Sequence, residues 1–186
     1  MGEIIGVETG YQRWARMLVA TVRMQGGAEV QRDIEDHGEA VAVLPYDPAR
    51  RVALLVRQFR ALVVLGGGKP TVLEAVAGCL DEADPDACAR REAMEEVGLR
   101  ISALEPAGRA WAMPGISTER AHLYLAPYAE ADRVAAGGGL AAEHEEIAVT
   151  ELPLAELAAL ADGGEMMDLK LLALVQTLRL RRPDLF

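Results

Sequence analysis

Lysine is almost absent from this chain: Lys69 and Lys170 are the only two among 186 residues. Aromatic side chains make up 4 %, and there are two cysteines, Cys79 and Cys88. No apolar run approaches the ~18 residues that a membrane-crossing helix needs. Each shortage excludes something. Arginine is plentiful, but with a formal net charge of −10 the chain has little electrostatic pull on nucleic acid or an anionic bilayer, so neither is expected as a partner. A polyanionic ligand would then need local help from a cation or from arginines. Two thiols are too few for a structural zinc site and make a poor disulfide framework, which points to a reducing cytoplasm. The first residues lack a basic stretch followed by an apolar core, so they do not read as a signal peptide. No internal repeat is visible.

What is present is enough apolar material, 51 %, for one domain with an appended N-terminal element. Residues 14–24 are β-rich and end at Gly26-Gly27, and "EVQRDIED" is the expected return strand of a hairpin. Residues 40–44 and 52–58 read as two apolar strands around the turn "PYDPAR". "LGGGKP" reads as a loop and "TVLEAVAGCL" as one strand. Asp84-Pro85 opens a helix, with Asp as N-cap and Pro at the first helical position, and Gly98 closes it. Two more strands are expected in "ISALEPAGRAWAMPG" and "RAHLYLAPYA". Then come a flexible acidic loop with Gly137-Gly138-Gly139, the strand "IAVTELP", a helix in "LAELAALADG" and a C-terminal helix. The order is α+β with a mixed sheet rather than a repeating β-α unit. The boundaries predicted are 1–39 for a β-rich element and 40–186 for the main domain. Cys79 and Cys88 are expected to pack as small side chains, and Tyr11, Trp14 and Trp111 to serve the core, with stacking on a base as the alternative.

The segment "AGCLDEADPDACARREAMEEVGL" holds the chemistry. On a helical wheel Ala87, Ala93, Met94 and Val97 share one side, and Glu92, Glu95 and Glu96 lie within about a third of the circle on the other. Glutamates at that spacing cost only about 0.2–0.5 kcal/mol per pair, so a solvated face tolerates them. The alternative is a metal. Ala77-Gly78 places backbone without bulk just ahead of the helix, where a carbonyl can join the carboxylates, and hard divalent cations take such oxygens.

Residues 91–99, Arg-Glu-Ala-Met-Glu-Glu-Val-Gly-Leu, resemble the second half of the Nudix box. The first half is one residue shorter than the standard box. In that it is similar to the GDP-mannose hydrolase branch, whose Ala-Gly…Asp…Pro positions match Ala77-Gly78-Cys79-Leu80-Asp81-Glu82-Ala83-Asp84-Pro85. "LLVRQFR", "MPGISTER" and "AAGGGLAAEHEEIAVTELP" extend the likeness to the GDP-sugar and ADP-sugar branches.

The resemblance implies a Nudix-type α/β/α sandwich with an N-terminal β-hairpin subdomain, and hydrolysis of a diphosphate joined to a nucleoside. It implies Mg2+, with Mn2+ as a possible replacement, held by Ala77, Glu92, Glu95, Glu96 and Glu145. Glu92, Glu96 and Glu145 would be catalytic, Glu145 as general base or as a further ligand, with Glu143 and Glu146 as fallbacks. Arg91 would orient Glu92. Substrate contacts are implied for Arg32, Arg60, Gly78, Cys79, Glu119, His144 and Lys170. His144 stands where the branch carries Asp, and Asp168-Leu169-Lys170 where it carries Asp-Gly-Lys. The expected substrate is a nucleotide sugar, GDP-mannose ahead of ADP-ribose, and the expected assembly is a homodimer formed through residues 1–39. A Nudix domain that senses a nucleotide without cleaving it is the competing class, and the intact Glu92/Glu96 pair argues against it.

Overall fold

The computed structural model describes residues 1–140, 142, 145–166 and 168–186. The chain divides into two compact units, one of residues 1–40 and 109–121, the other of residues 41–108 and 122–186.

The first unit is built on three antiparallel strands, β1 (Glu3–Gln12), β2 (Arg16–Arg23) and β3 (Glu29–Asp36), in the order β1-β2-β3. The expected hairpin is β2 and β3, turned through Gly27 at a positive φ of 86°. β1 was not anticipated. All its residues are exposed and Gly6 and Gly10 interrupt it, so it carries no alternation of apolar and polar side chains for a sequence reading to find. Backbone bonds between Glu35 and the 116–118 segment join residues 109–121 to β3.

The second unit holds a sheet ordered β10-β5-β4-β9-β8, from β4 (Ala40–Asp47), β5 (Val52–Phe59), β8 (Glu105–Trp111), β9 (Arg120–Pro127) and β10 (Ala148–Pro153). Two short strands extend it: β6 (Thr71–Glu74) pairs with β5, and β7 (Val76–Cys79) with β4. With its helices this is the expected α+β arrangement. Every residue of β4 is buried, as a strand covered on both faces requires. Alternate side chains separate the two faces. Val41, Val43, Leu54, Val56, Tyr124 and Ala126 pack with Cys88, Ala89, Ala93 and Val97 of helix α2 (Pro85–Val97). Ala42, Leu44, Ala53, Leu55 and Leu125 point the other way and are also fully buried. Helices α3 (Leu154–Asp162) and α4 (Leu169–Arg181) add Leu154 and Leu157, and Leu171, Leu174, Val175 and Leu178, to the buried side chains.

Three local readings differ from expectation. "LGGGKP" is preceded by a five-residue helix, α1 (Ala61–Leu65), whose Val-Val-Leu composition hid it. "TVLEAVAGCL" is two strands, because the Ala75 N–H is taken by the Asp168 carboxylate at 3.2 Å instead of by a neighbouring strand. Tyr11, Trp14 and Trp111 are exposed rather than in the core, and Cys79 is exposed while Cys88 is buried.

α2 follows its sequence signals. The Asp84 carboxylate accepts from the Asp86 N–H at 3.0 Å, Pro85 occupies the first turn, and Gly98 is left-handed with φ 67°. Removing the cap with Asp84→Ala should cost about 1 kcal/mol in urea unfolding. A variant with an unchanged midpoint would show that the cap does not hold the start of this helix.

Candidate active site

The wheel placed Glu96 with the solvated glutamates, but α2 turns it inward. Its buried stripe is Cys88, Ala89, Ala93, Glu96 and Val97. Glu96 is only 2 % exposed, and its Oε2 accepts from the Ala77 N–H at 3.1 Å. Burial, followed by the charges of Glu92 and Glu145, pushes its pKa up to about 9 in spite of that bond. Glu92 lies one turn back. Its carboxyl presses on Gly78, where a Cβ would fall on the carboxyl carbon and both its oxygens, so a larger residue there would push the Glu92 carboxyl aside. Burial raises Glu92 to about 7, and Glu95 and Glu145 add to this while Arg91 opposes it. Two carboxylates are thus desolvated beside the backbone of Ala77 and Gly78 with little positive charge to match them.

Arg91 is the main cation at the helix surface, and it is shared. Its Nη1 lies 2.9 Å from Glu92 and 3.0 Å from Glu95, its Nε 3.1 Å from Glu82, and its Nη2 2.7 Å from Asp81. One guanidinium therefore ties the 81–82 loop to the helix and fixes the rotamers of Glu92 and Glu95. These contacts raise the Arg91 pKa against the opposing effect of burial.

Arg60 follows β5 and makes a two-pronged pair with Glu74, with Nε and Nη2 each 2.7 Å from a carboxylate oxygen. Glu96 and Asp168 also act on its charge. Asp168 caps α4 by accepting from the Lys170 and Leu171 N–H groups, and its Oδ1 lies 3.1 Å from Lys170 Nζ. Glu74 and Asp168 were missed as supports of the site. The signal for Glu74 was available: a lone acid inside the apolar run "TVLEAVAG" is buried only with a partner.

The structure brings Ala77, Gly78, Glu92, Glu95 and Glu96 together, with Cys79 exposed at the end of β7. Glu145 is close enough for its charge to reach both Glu92 and Glu96, and its Oε2 accepts from the Leu140 N–H at 3.2 Å. Glu143 and His144 lie outside the described residues. Arg32 and Glu119 belong to the first unit. There Arg32 donates to the Gln31 carbonyl, and Glu119 lies 3.3 Å from His37 Nε2.

The donor set fits a hard divalent cation. Buried carboxylates whose pKa values rise in the absence of a cation are groups that an ion would stabilise, and an ion that keeps several waters needs few protein oxygens. Among the described residues a second cluster, Asp81, Glu82 and Cys88, gathers three possible ligand atoms within 4.8 Å. It is a weaker site. Arg91 already bonds both acids, and burial holds the Cys88 thiol protonated, with its pKa pushed up to about 11.

Comparison with known proteins agrees with this geometry. The NUDIX domain profile matches residues 36–174, and the chain belongs to the Nudix hydrolases. A GDP-mannose pyrophosphatase of Cronobacter sakazakii is 40 % identical over 152 residues, covering 81 % of this chain and 78 % of the relative. That of Pectobacterium atrosepticum is 38 % identical over 156 residues, covering 83 % and 80 %. Among solved structures an ADP compounds hydrolase superposes with a TM-score of 0.77 at 18 % identity, over 98 % of this chain and 95 % of its own. Members of this family generally use divalent metal ions.

The raised pKa values set a pH dependence. A carboxyl whose folded pKa exceeds its unfolded value stabilises the fold fully below the unfolded value and loses that contribution as pH rises through the folded one. Without metal, the melting temperature should therefore fall between pH about 4.5 and about 9, the span over which Glu92 and Glu96 ionise. A divalent ion should reverse the fall and release protons on binding. A melting profile with the same pH slope in EDTA and in excess divalent ion would contradict this.

Proposed function

We propose that this Nudix hydrolase uses Mg2+, with Mn2+ as a substitute, to hydrolyse the diphosphate of a nucleoside-diphosphate sugar. The substrate favoured is GDP-mannose, which with one water gives GMP and mannose 1-phosphate. The observation that carries the reading is the pair of buried, poorly compensated carboxylates, Glu92 and Glu96, against the Ala77-Gly78 backbone. The choice of sugar nucleotide rests on likeness to the GDP-mannose pyrophosphatases.

The chemical difficulty is that water must reach a phosphorus already surrounded by negative oxygens. A divalent ion, when bound, neutralises those oxygens and stabilises the leaving phosphate. In this reading Glu92, Glu96 and the Ala77 carbonyl hold the ion, and Glu95 supports it. Arg91 keeps Glu92 in place from behind, the kind of support whose loss costs about 10–100-fold in metal affinity. Glu145 accepts the proton of the attacking water. Gly78 and Cys79 offer backbone to the diphosphate. Arg60 and Lys170 face the phosphates, each held by an acid that fixes its direction. For Arg32, Glu119 and His144 a substrate contact rests on the family resemblance alone. We further place the enzyme in the cytoplasm as a homodimer formed through residues 1–39. The bare apolar side chains of β1, Ile4 and Val7 among them, support the dimer.

Incubation with Mg2+ and a panel of nucleotide sugars, with products identified by mass, tests the substrate. GDP-mannose should be turned over fastest, and a preference for ADP-ribose would overturn the choice. Tight binding of one nucleotide without turnover of any would favour a sensor. Glu92→Gln should abolish turnover with the fold intact, and unchanged activity would remove Glu92 from its role.

A further inference from the structure

The three glycines ahead of Glu145 were expected to form a loose loop. Gly138 and Gly139 are instead bonded to the end of α2, and Gly137 lies close against it. The chain pairs with it at Leu99–Arg133, and the Arg100 N–H donates to the Asp132 carbonyl at 2.9 Å. The N–H groups of Val134 and Ala135 donate to the Gly98 carbonyl at 2.9 and 3.2 Å. Gly138 N–H donates to the Glu96 carbonyl at 2.9 Å and Gly139 N–H to the Glu95 carbonyl at 3.1 Å. The last carbonyls of a helix have no partner within it, and here a distant segment supplies them. Two of those carbonyls belong to the glutamates of the metal pocket.

The fit is close at backbone level. A Cβ on Gly98 would overlap the Ala135 carbonyl, and one on Gly137 would overlap the Glu96 carbonyl and lie 2.7 Å from Val97 Cα. Gly137, at φ 71°, and Gly139, at φ 79°, are both left-handed. A Cβ on Gly139 would lie 2.8 Å from Glu145 Cβ and from Glu145 Oε2. From this anchor the chain reaches Glu145, whose N–H donates to the Leu140 carbonyl at 3.4 Å while its carboxylate accepts from the Leu140 N–H.

We propose that residues 132–140 are a strap that takes its position from the C-terminal turn of α2 and so sets where Glu145 stands relative to Glu92 and Glu96. Gly137 and Gly139 are positioning residues, acting through Glu145. The inference rests on the reading of Glu145 as the proton acceptor.

Displacement of a reacting group by about 1 Å can cost on the order of 10²-fold in rate. Gly137→Ala should lower kcat by that order, with KM for GDP-mannose changed little. Gly164→Ala is the matched control. Gly164 has the same φ of 71° and nothing within 4 Å of an added Cβ, so it bears the backbone penalty without the collision. It should keep wild-type kcat. Glu145→Gln and the double variant Gly137→Ala/Glu145→Gln complete a cycle. If the strap acts through Glu145, the double variant is no slower than Glu145→Gln alone. Multiplying losses would show that Gly137 acts elsewhere, on Glu96 or on the fold, and would overturn the strap while leaving Glu145 its role. Wild-type turnover by Glu145→Gln would remove Glu145 from the chemistry, and the inference with it.

Gly139→Ala, which meets the Glu145 side chain rather than α2, repeats the cycle if Gly137→Ala does not fold, with the same two readings. Calorimetric titration with Mn2+ alone gives a readout independent of turnover. Its affinity at the Glu92/Glu96 pocket should change less than threefold in Gly139→Ala. A loss as large as that in kcat would mean that the glycine supports the metal pocket and not the position of Glu145.

Discussion

The contact between the Glu92 carboxyl and the bare α-carbon of Gly78 is the constraint on which the site depends. It brings a helix carboxylate against strand backbone at a distance from which a Cβ would displace it. One turn on, Glu96 is drawn under the same strand by the Ala77 N–H. Burying two carboxylates is unfavourable unless a proton or a cation goes with them. A fold of ordinary stability, on the order of 5–15 kcal/mol, does not accumulate such a cost by chance. The surroundings offer one shared guanidinium on the Glu92 side and, on the Glu96 side, one amide N–H and the charge of Arg60, itself paired with Glu74, short of two compensating charges.

The rest of the second unit serves to keep that geometry fixed. Cys88, Ala89, Ala93 and Val97 pack α2 on the sheet through small side chains, which lets helix and strand approach. Arg91 ties Asp81, Glu82, Glu92 and Glu95 to one planar group, so the acidic loop and the helix share a single reference point. Asp168 joins the break between β6 and β7 to the first turn of α4, so the strand that supplies Ala77 is positioned from its far side as well.

Much of this was legible in the residues. Asp84-Pro85 and Gly98 gave the limits of α2, and the Arg-Glu-x-x-Glu-Glu-x-Gly run pointed to the family that the domain profile matches. The misreadings have physical causes. Helical periodicity alone put Glu96 on the wet face, because a wheel knows nothing of an N–H waiting at a strand end. The split between β6 and β7 was hidden because its cause, Asp168, lies far along the chain. β1 escaped because it buries nothing, and burial is what periodicity detects. Gly137, Gly138 and Gly139 read as slack, whereas glycine also marks close backbone approach, and only the position of α2 decides between the two.

The buried carboxylates of Glu92 and Glu96 predict where a divalent ion goes. Anomalous diffraction from a crystal soaked in Mn2+ addresses that without reference to turnover. A peak between the carboxylates of Glu92 and Glu96, beside the Ala77 carbonyl, is the result expected. A peak at Asp81, Glu82 and Cys88, with Arg91 displaced and the Glu92/Glu96 pocket empty, would contradict it.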